Sequence, residues 1–275
     1  MKKWLVIFLI LFSAYLFSQT STEWFPSELN IQPFTANFLE PRNGFMFALD
    51  ENQLRLNIGT SRDVVQIKTQ SKDISIGADL FTYTRLRGED NFKFPVETVD
   101  YLFGLNTGYK ILDHNKEIGA RFRFSHISAH LVDGNYDAQS GGWTNGREPF
   151  TFSKEFFELF PYYRIDGFRL YLGLTYIIHI SPTIINNGIY QIGFDYYILK
   201  LGNGSVTPFI AYDFSLSGID DIYSGNNILK IGVKLGRHLE RGFSILIAYF
   251  SGKSVHGELF DLNEKYISVG FNLDI

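Results

Sequence analysis

The stretch FRLYLGLTYIIHIS, Phe168 to Ser181, decides the fold. Leu170, Leu172, Leu174, Tyr176, Ile178 and Ile180 fall on one parity, and Arg169, Tyr171, Gly173, Thr175 and His179 on the other. Successive side chains of an extended strand point to opposite faces, so this period of two describes a strand with one apolar face. A helical reading competes, because residues 170–194 contain no Asp, Glu, Lys or Arg and are long enough to cross a bilayer as a helix. Pro182, Asn186, Asn187 and Gly188 break that run in the middle, and both halves alternate, which predicts two strands and a turn.

The pattern repeats outward from there. Tyr190, Ile192, Phe194, Tyr196 and Ile198 oppose Gln191, Gly193, Asp195 and Tyr197; Leu229, Ile231, Val233 and Leu235 oppose Lys230, Gly232, Lys234 and Gly236. Ile267, Val269, Phe271, Leu273 and Ile275 close the chain in the same way. A soluble sandwich also alternates, so the connections arbitrate. Long ones at 87–95, 132–150, 217–227 and 252–263 alternate with short ones at 112–116, 166–167, 201–205 and 237–242. This is the asymmetry of outside loops and periplasmic turns.

Composition agrees. The 275 residues are 17% aromatic, with 27 Phe and 16 Tyr, and 20% charged. That is too aromatic for a disordered chain and too evenly charged for a bundle of membrane helices. With no Cys, disulfides and thiolate metal sites are excluded. A net charge of −4 gives no electrostatic case for nucleic acid.

The prediction is an all-β protein, a transmembrane antiparallel up-and-down β-barrel of roughly 12 strands over residues 44–275, the first two strands lying between Gly44 and Gln70. Residues 1–18 read as a cleaved export signal: Lys2 and Lys3, an apolar run from Trp4 to Phe12, then small residues at Ser13, Ala14 and Ser18. Residues 19–43, punctuated by Pro26, Pro33 and Pro41, read as a periplasmic or plug-like lead-in. Together these predict residence in the outer membrane of a diderm bacterium, with outer-membrane lipids as partners. Asp79, Asp100, Arg121, Arg123, Glu158, Arg164, Asp195, Lys230 and Lys234 take the opposite parity and predict a polar, ion-paired lumen.

Residues 116–131 hold the chemistry. Ile118, Ala120, Phe122 and Phe124 form the lipid-facing row, and the same parity carries on to His126, Ser128 and His130. On the following strand Phe157, Leu159, Tyr163 and Ile165 face outward, and that row begins with Ser153 and Glu155. A hydroxyl, an imidazole and a carboxylate therefore converge on the barrel wall at outer-leaflet depth. Acyl transfer uses this set: the imidazole takes the serine proton, and the carboxylate fixes its tautomer and stabilises the imidazolium. A β-bulge near His126 would reverse the parity.

The pattern Phe124-Ser-His126-Ile-Ser128-Ala-His130-Leu resembles the motif of an outer-membrane family, domain of unknown function 1207. The resemblance extends to Glu40-Pro41-Arg42, Ser153-Lys-Glu155 and Tyr249-Phe-Ser-Gly252-Lys-Ser254-Val-His-Gly257. The family continues its first motif with Gly-Asp-Glu, where this chain has Val132-Asp133-Gly134. A looser likeness is to outer-membrane phospholipase A and lipid A deacylase, which carry His-x-Ser facing lipid and a polar or acidic partner on the next strand. That likeness implies His126 as base, Ser128 as nucleophile and Glu155 as orienting acid. The Ser-Asn-Gly continuation of those enzymes is replaced here by Ser128-Ala129-His130.

Two functions stand against each other: a serine acyl-ester hydrolase acting on phospholipid or lipopolysaccharide acyl chains, and a non-catalytic barrel, either a narrow pore or a structural or surface protein. Other polar groups have plainer readings. His179, by strict alternation, points into the lumen beside Tyr171 and Thr175, and the Ser251 to Gly257 segment with His256 shapes an outside loop. No cofactor is implied, although Asp220 and Asp221 in a loop suit a divalent cation such as calcium.

Overall fold

The computed structural model describes residues 20–199, 205–220 and 222–274. The predicted export signal lies outside the described residues, as do Asp221 and Ile275. A short strand β1 (Ser21–Trp24) precedes β2 (Asn43–Ala48), β3 (Gln53–Lys68), β4 (Lys72–Arg87), β5 (Val96–Asp113) and β6 (Lys116–Leu131). A loop hairpin, β7 (Tyr136–Asp137) and β8 (Gly142–Trp143), leads to β9 (Phe152–Ile165), β10 (Phe168–Ser181), β11 (Ile185–Tyr197), β12 (Val206–Ile219), β13 (Ile222–Leu235), β14 (Gly242–Lys253) and β15 (Asn263–Asp274). Apart from β1 and the loop hairpin these pair in sequence order, β15 returns to β2, and β3 pairs both β2 and β4. The result is a closed antiparallel barrel of twelve strands. Closure leaves no unpaired edge, which is what a sheet crossing lipid requires. No helix among the described residues is long and apolar enough to cross a membrane.

The outer wall carries the predicted apolar parity. Leu172, Leu174, Tyr176, Ile231, Ile245 and Ile247 are exposed, while Arg123, Glu158, Asp195, Lys230 and Lys234 are buried in the interior. An apolar surface of this extent is a stable face only toward lipid.

The lumen is not empty. Residues 30–40 of the lead-in occupy it as a plug: Asn30, Ile31, Phe34, Ala36, Asn37, Phe38 and Glu40 are all buried. The chain pairs with the foot of β3 through β1, then enters the barrel. It leaves at Asn43, whose side-chain oxygen and nitrogen bond the N–H and C=O of Gly59 at 3.1 and 2.7 Å, in place of the missing strand. Inward-facing cations fasten the plug. Arg121 forks onto Glu40, with Nη1 2.7 Å from Oε2. Arg123 reaches the Leu39 carbonyl at 3.0 Å, Lys230 that of Thr35 at 2.8 Å, and Arg169 those of Gln32 and Pro33 at 2.7 and 2.6 Å. The Phe34 ring packs 4.4 Å from the Tyr171 ring and beneath the Arg169 guanidinium. Tyr171 in turn lies across Gly193, where a Cβ would fall 2.3 Å from the Tyr171 hydroxyl, so the ring's position requires glycine there.

At the other end the loop after β14 folds over the barrel mouth. The Nδ1–H of His256 donates to Asp100 at 2.7 Å, and the N–H of Gly257 donates to the same carboxylate at 2.7 Å, all three residues being buried. Asp100 projects from β5 into the lumen, so the clasp ties the outer loop to the inner wall.

Candidate functional site on the outer wall

The site is built by three neighbouring strands. β6 places His126 on the outward row after Phe122 and Phe124, and the register sets His126 opposite Phe103 of β5 on one side and Glu155 of β9 on the other. The imidazole lies 4.8 Å from the Phe103 ring, and its Nδ1–H donates to Glu155 Oε1 at 2.5 Å. Phe103 is 53% exposed and Phe124 40%, so the pair sits on the apolar outer surface, not in the lumen. The parity through His126 and Ser128 is unbroken, and no bulge intervenes in β6.

The third member is one that strict alternation misplaces. His179 of β10 is 67% exposed, and its Nδ1–H donates to Glu155 Oε2 at 2.6 Å. The expected lumen position for His179 is therefore wrong. The register between β10 and β9 shifts between Ile177 and His179, so Ile178 and His179 both face outward and Ile180 turns in. The bulge leaves a trace in the sequence: apolar residues on both parities at Ile177-Ile178-His179-Ile180, where strict alternation would interleave small or polar ones.

Glu155 thus accepts one imidazole proton on each carboxylate oxygen. A carboxylate at the lipid boundary is costly without donors, and here each oxygen has a charge-assisted partner. Both imidazoles spend Nδ1 on Glu155, which leaves each Nε2 as the nitrogen available for proton transfer. Ser128 lies on the same outward row of β6, two residues beyond His126 and opposite Ser153 of β9. Its hydroxyl makes no hydrogen bond among the described residues. The structure therefore joins His126 and Glu155 directly and sets Ser128 next along the same face, without a serine–imidazole bond. Among the described residues no group of three or more His, Asp or Glu side chains is disposed to hold a metal ion. Of the loop pair considered for a cation, Asp220 has a left-handed backbone at φ 47°.

The model of the family described as protein of unknown function (DUF1207) matches residues 54–274. The chain belongs to that family. No curated protein matches its sequence. Among solved structures, outer membrane phospholipase A from Escherichia coli superposes with a TM-score of 0.54 at 11% identity, over 90% of this chain and 94% of that one. An active-site mutant of the same phospholipase gives 0.57 at 11% identity, with the same coverage of 90% and 94%. At this identity the likeness is one of fold: a β-barrel resembling those of Gram-negative outer-membrane proteins.

Proposed function

We propose that the outer wall at His126 is the active centre of a serine acyl-ester hydrolase acting on phospholipid or lipopolysaccharide acyl chains. The observation that carries this reading is the 2.5 Å bond from His126 Nδ1 to Glu155, on the lipid-facing surface and two residues from Ser128. His126 Nε2 takes the Ser128 proton, and Oγ adds to the ester carbonyl of a lipid lying against the wall. The imidazolium then returns the proton to the departing alcohol, leaving an acyl group on Ser128 that water removes by the reverse sequence. Glu155 holds His126 in the Nδ1–H tautomer throughout and balances the imidazolium charge. An acyl chain is already at this height of the wall, so the substrate needs no path through the lumen. The fold shared with a phospholipase adds support as an analogy only.

One observation favours the non-catalytic alternative. Glu155 spans β6, β9 and β10 through two imidazoles while Ser128 stands unbonded, an arrangement that also serves as a clamp across three strands. A narrow pore is the weaker form of that alternative, since the plug fills the lumen. Folded protein in mixed micelles of phospholipid and detergent separates the two readings. Hydrolysis predicts fatty-acid release and labelling of Ser128 by a fluorophosphonate, both lost in Ser128→Ala and His126→Ala. A folded wild-type barrel that releases no fatty acid and takes no label rejects it.

A further inference from the structure

Above the plug the lumen changes character. Below, cations and carboxylates interlock; in the outer half, a cavity of about 160 Å³ lies between Asn37–Leu39 of the plug and the Ser254–Gly257 turn of the outer loop. Its wall is drawn from the inward rows of β9 to β13 and is mixed: Glu158, Gln191, Asp213 and Ser215 lie on a polar side, while Phe156, Ile177 and Ile228 of the core cluster, with Ile185, Ile189 and Phe260 at its margin, make an apolar one. Porin-like lumens are polar, so the apolar side of this chamber suits an occupant with an apolar part as well as a polar one.

Two lysines line this chamber, Lys154 and Lys253, and Lys253 donates to the Asp261 carbonyl at 2.8 Å. Lys154 points inward between Phe152 and Phe156 of β9, opposite Ile127 and Ile180 on the flanking strands. It has no hydrogen bond or ion pair among the described residues; its ammonium lies 5.4 Å from the Phe156 ring. Several other lumen cations are engaged: Arg121 with Glu40, Arg123 with Glu158 at 2.5 Å, Arg169 with Asp195, Lys230 with the Thr35 carbonyl. Arg55 of β3 has no ion pair among the described residues but lies over the Phe38 ring, outside this chamber's lining. The carboxylates on or beside the chamber wall are held by other donors. Glu158 belongs to Arg123, Asp213 takes Tyr171 at 2.7 Å and Gln191, and Asp100 is clasped by His256 and Gly257. An ammonium flanked by Phe152, Phe156, Ile127 and Ile180 without a paired carboxylate is stabilised by a counter-ion.

We propose that this chamber binds a single-chain alkyl carboxylate, its head on Lys154 and its tail along Phe156, Ile177 and Ile228. A lone ammonium is a point charge suited to one carboxylate, whereas phosphate recognition favours several donors or a guanidinium fork. The tail takes the place of water against apolar surface, which favours binding without further polar contacts. The site is independent of the outer-wall centre: it lies inside the barrel, on the opposite face of β9 from Glu155, and needs no catalysis.

The test is calorimetric titration of the full barrel in amphipol with octanoate, octanol and octyl phosphate. Saturable one-to-one binding of octanoate is expected, weakened at least tenfold by Lys154→Met, retained in Lys154→Arg, and abolished by Ser217→Phe, which fills the cavity from β12. Octanol binding is expected to be the same in wild type and Lys154→Met. Unsaturable uptake of octanoate, equal octanoate binding in folded Lys154→Met, or a preference for octyl phosphate would each overturn the proposal. Heat-modifiable migration on gels verifies folding of every variant, and Lys154→Arg, which keeps charge and stem, carries the comparison if Ser217→Phe does not fold.

Discussion

The Nδ1 atom of His179 lies 2.6 Å from Glu155 Oε2 on the outside of the barrel, although an unbroken alternation from Leu170 would have turned that imidazole into the lumen. The register shift at Ile177 and His179 brings this about, and bulges recur where a sheet re-aims a side chain toward a site. Two imidazoles on one carboxylate need not be equivalent. His126 shares its row with Ser128 on β6; His179 stands one strand further, across Glu155.

His126 is therefore the base in the proposed hydrolysis and His179 a positioning residue that acts through Glu155. Fatty-acid release from mixed micelles is expected to vanish in His126→Ala and to fall less than tenfold in His179→Ala, with KM unchanged. In Glu155→Gln, where the amide accepts only one of the two protons, the loss should exceed that of His179→Ala. Equal loss in His126→Ala and His179→Ala would reverse the assignment of the base.

The plug is bound by ion pairs that sequence parity places on the inner wall. Removing one partner leaves the other charge buried and uncompensated, at a cost of about 3 kcal/mol. Arg121→Met alone, stranding Glu40, should lower unfolding stability in urea by roughly that amount, while Arg121→Met combined with Glu40→Leu should recover most of it. A double variant no better than Arg121→Met would mean that the pair is not the interaction being lost.

Deleting residues 20–42 removes the plug and leaves every barrel strand from β2 onward intact. Planar-bilayer recordings should show no conductance steps for the whole chain and discrete steps for the truncated one, because the inner wall then lines a water-filled channel with its charged residues. Silence in both would mean that the Ser254–Gly257 turn and the clasped outer loop are enough to seal the barrel.

How much of this was legible in the residues follows from what each contact depends on. Alternation fixes which way a side chain points, so the lumen set from Asp79 to Lys234 and the outward row through His126 could be read directly. Register fixes which residues meet across strands. It came within reach for His126 and Glu155 because both stand near the loop end of their outward rows, on strands joined by the same long loop. The bulge at His179 inserts one residue and inverts parity from there on, which no count of two anticipates. The lead-in was legible only as a choice between periplasm and plug. Asn30 to Glu40 has no period, since its backbone is satisfied by side chains of the wall rather than by a ladder.

The outer loop supplies a pH-dependent prediction. Glu258 is buried at the turn after His256, where its carboxylate meets the Phe150 N–H at only 3.4 Å, and burial pushes its carboxyl above the ordinary value of 4.5. Below that value the acid is protonated whether the loop is closed or open, and the side chain carries no penalty. As pH rises, the open loop ionises first, so closure loses stability until the closed-loop carboxyl also ionises, after which the loss is constant. Glu258→Gln keeps the shape and removes the titration. Amide exchange across residues 254–262 should then be slower in Glu258→Gln than in wild type at neutral pH, with the two converging as pH falls below about 4. Faster exchange in the variant at neutral pH would instead make ionised Glu258 a net tether of the loop, through its bond to Phe150.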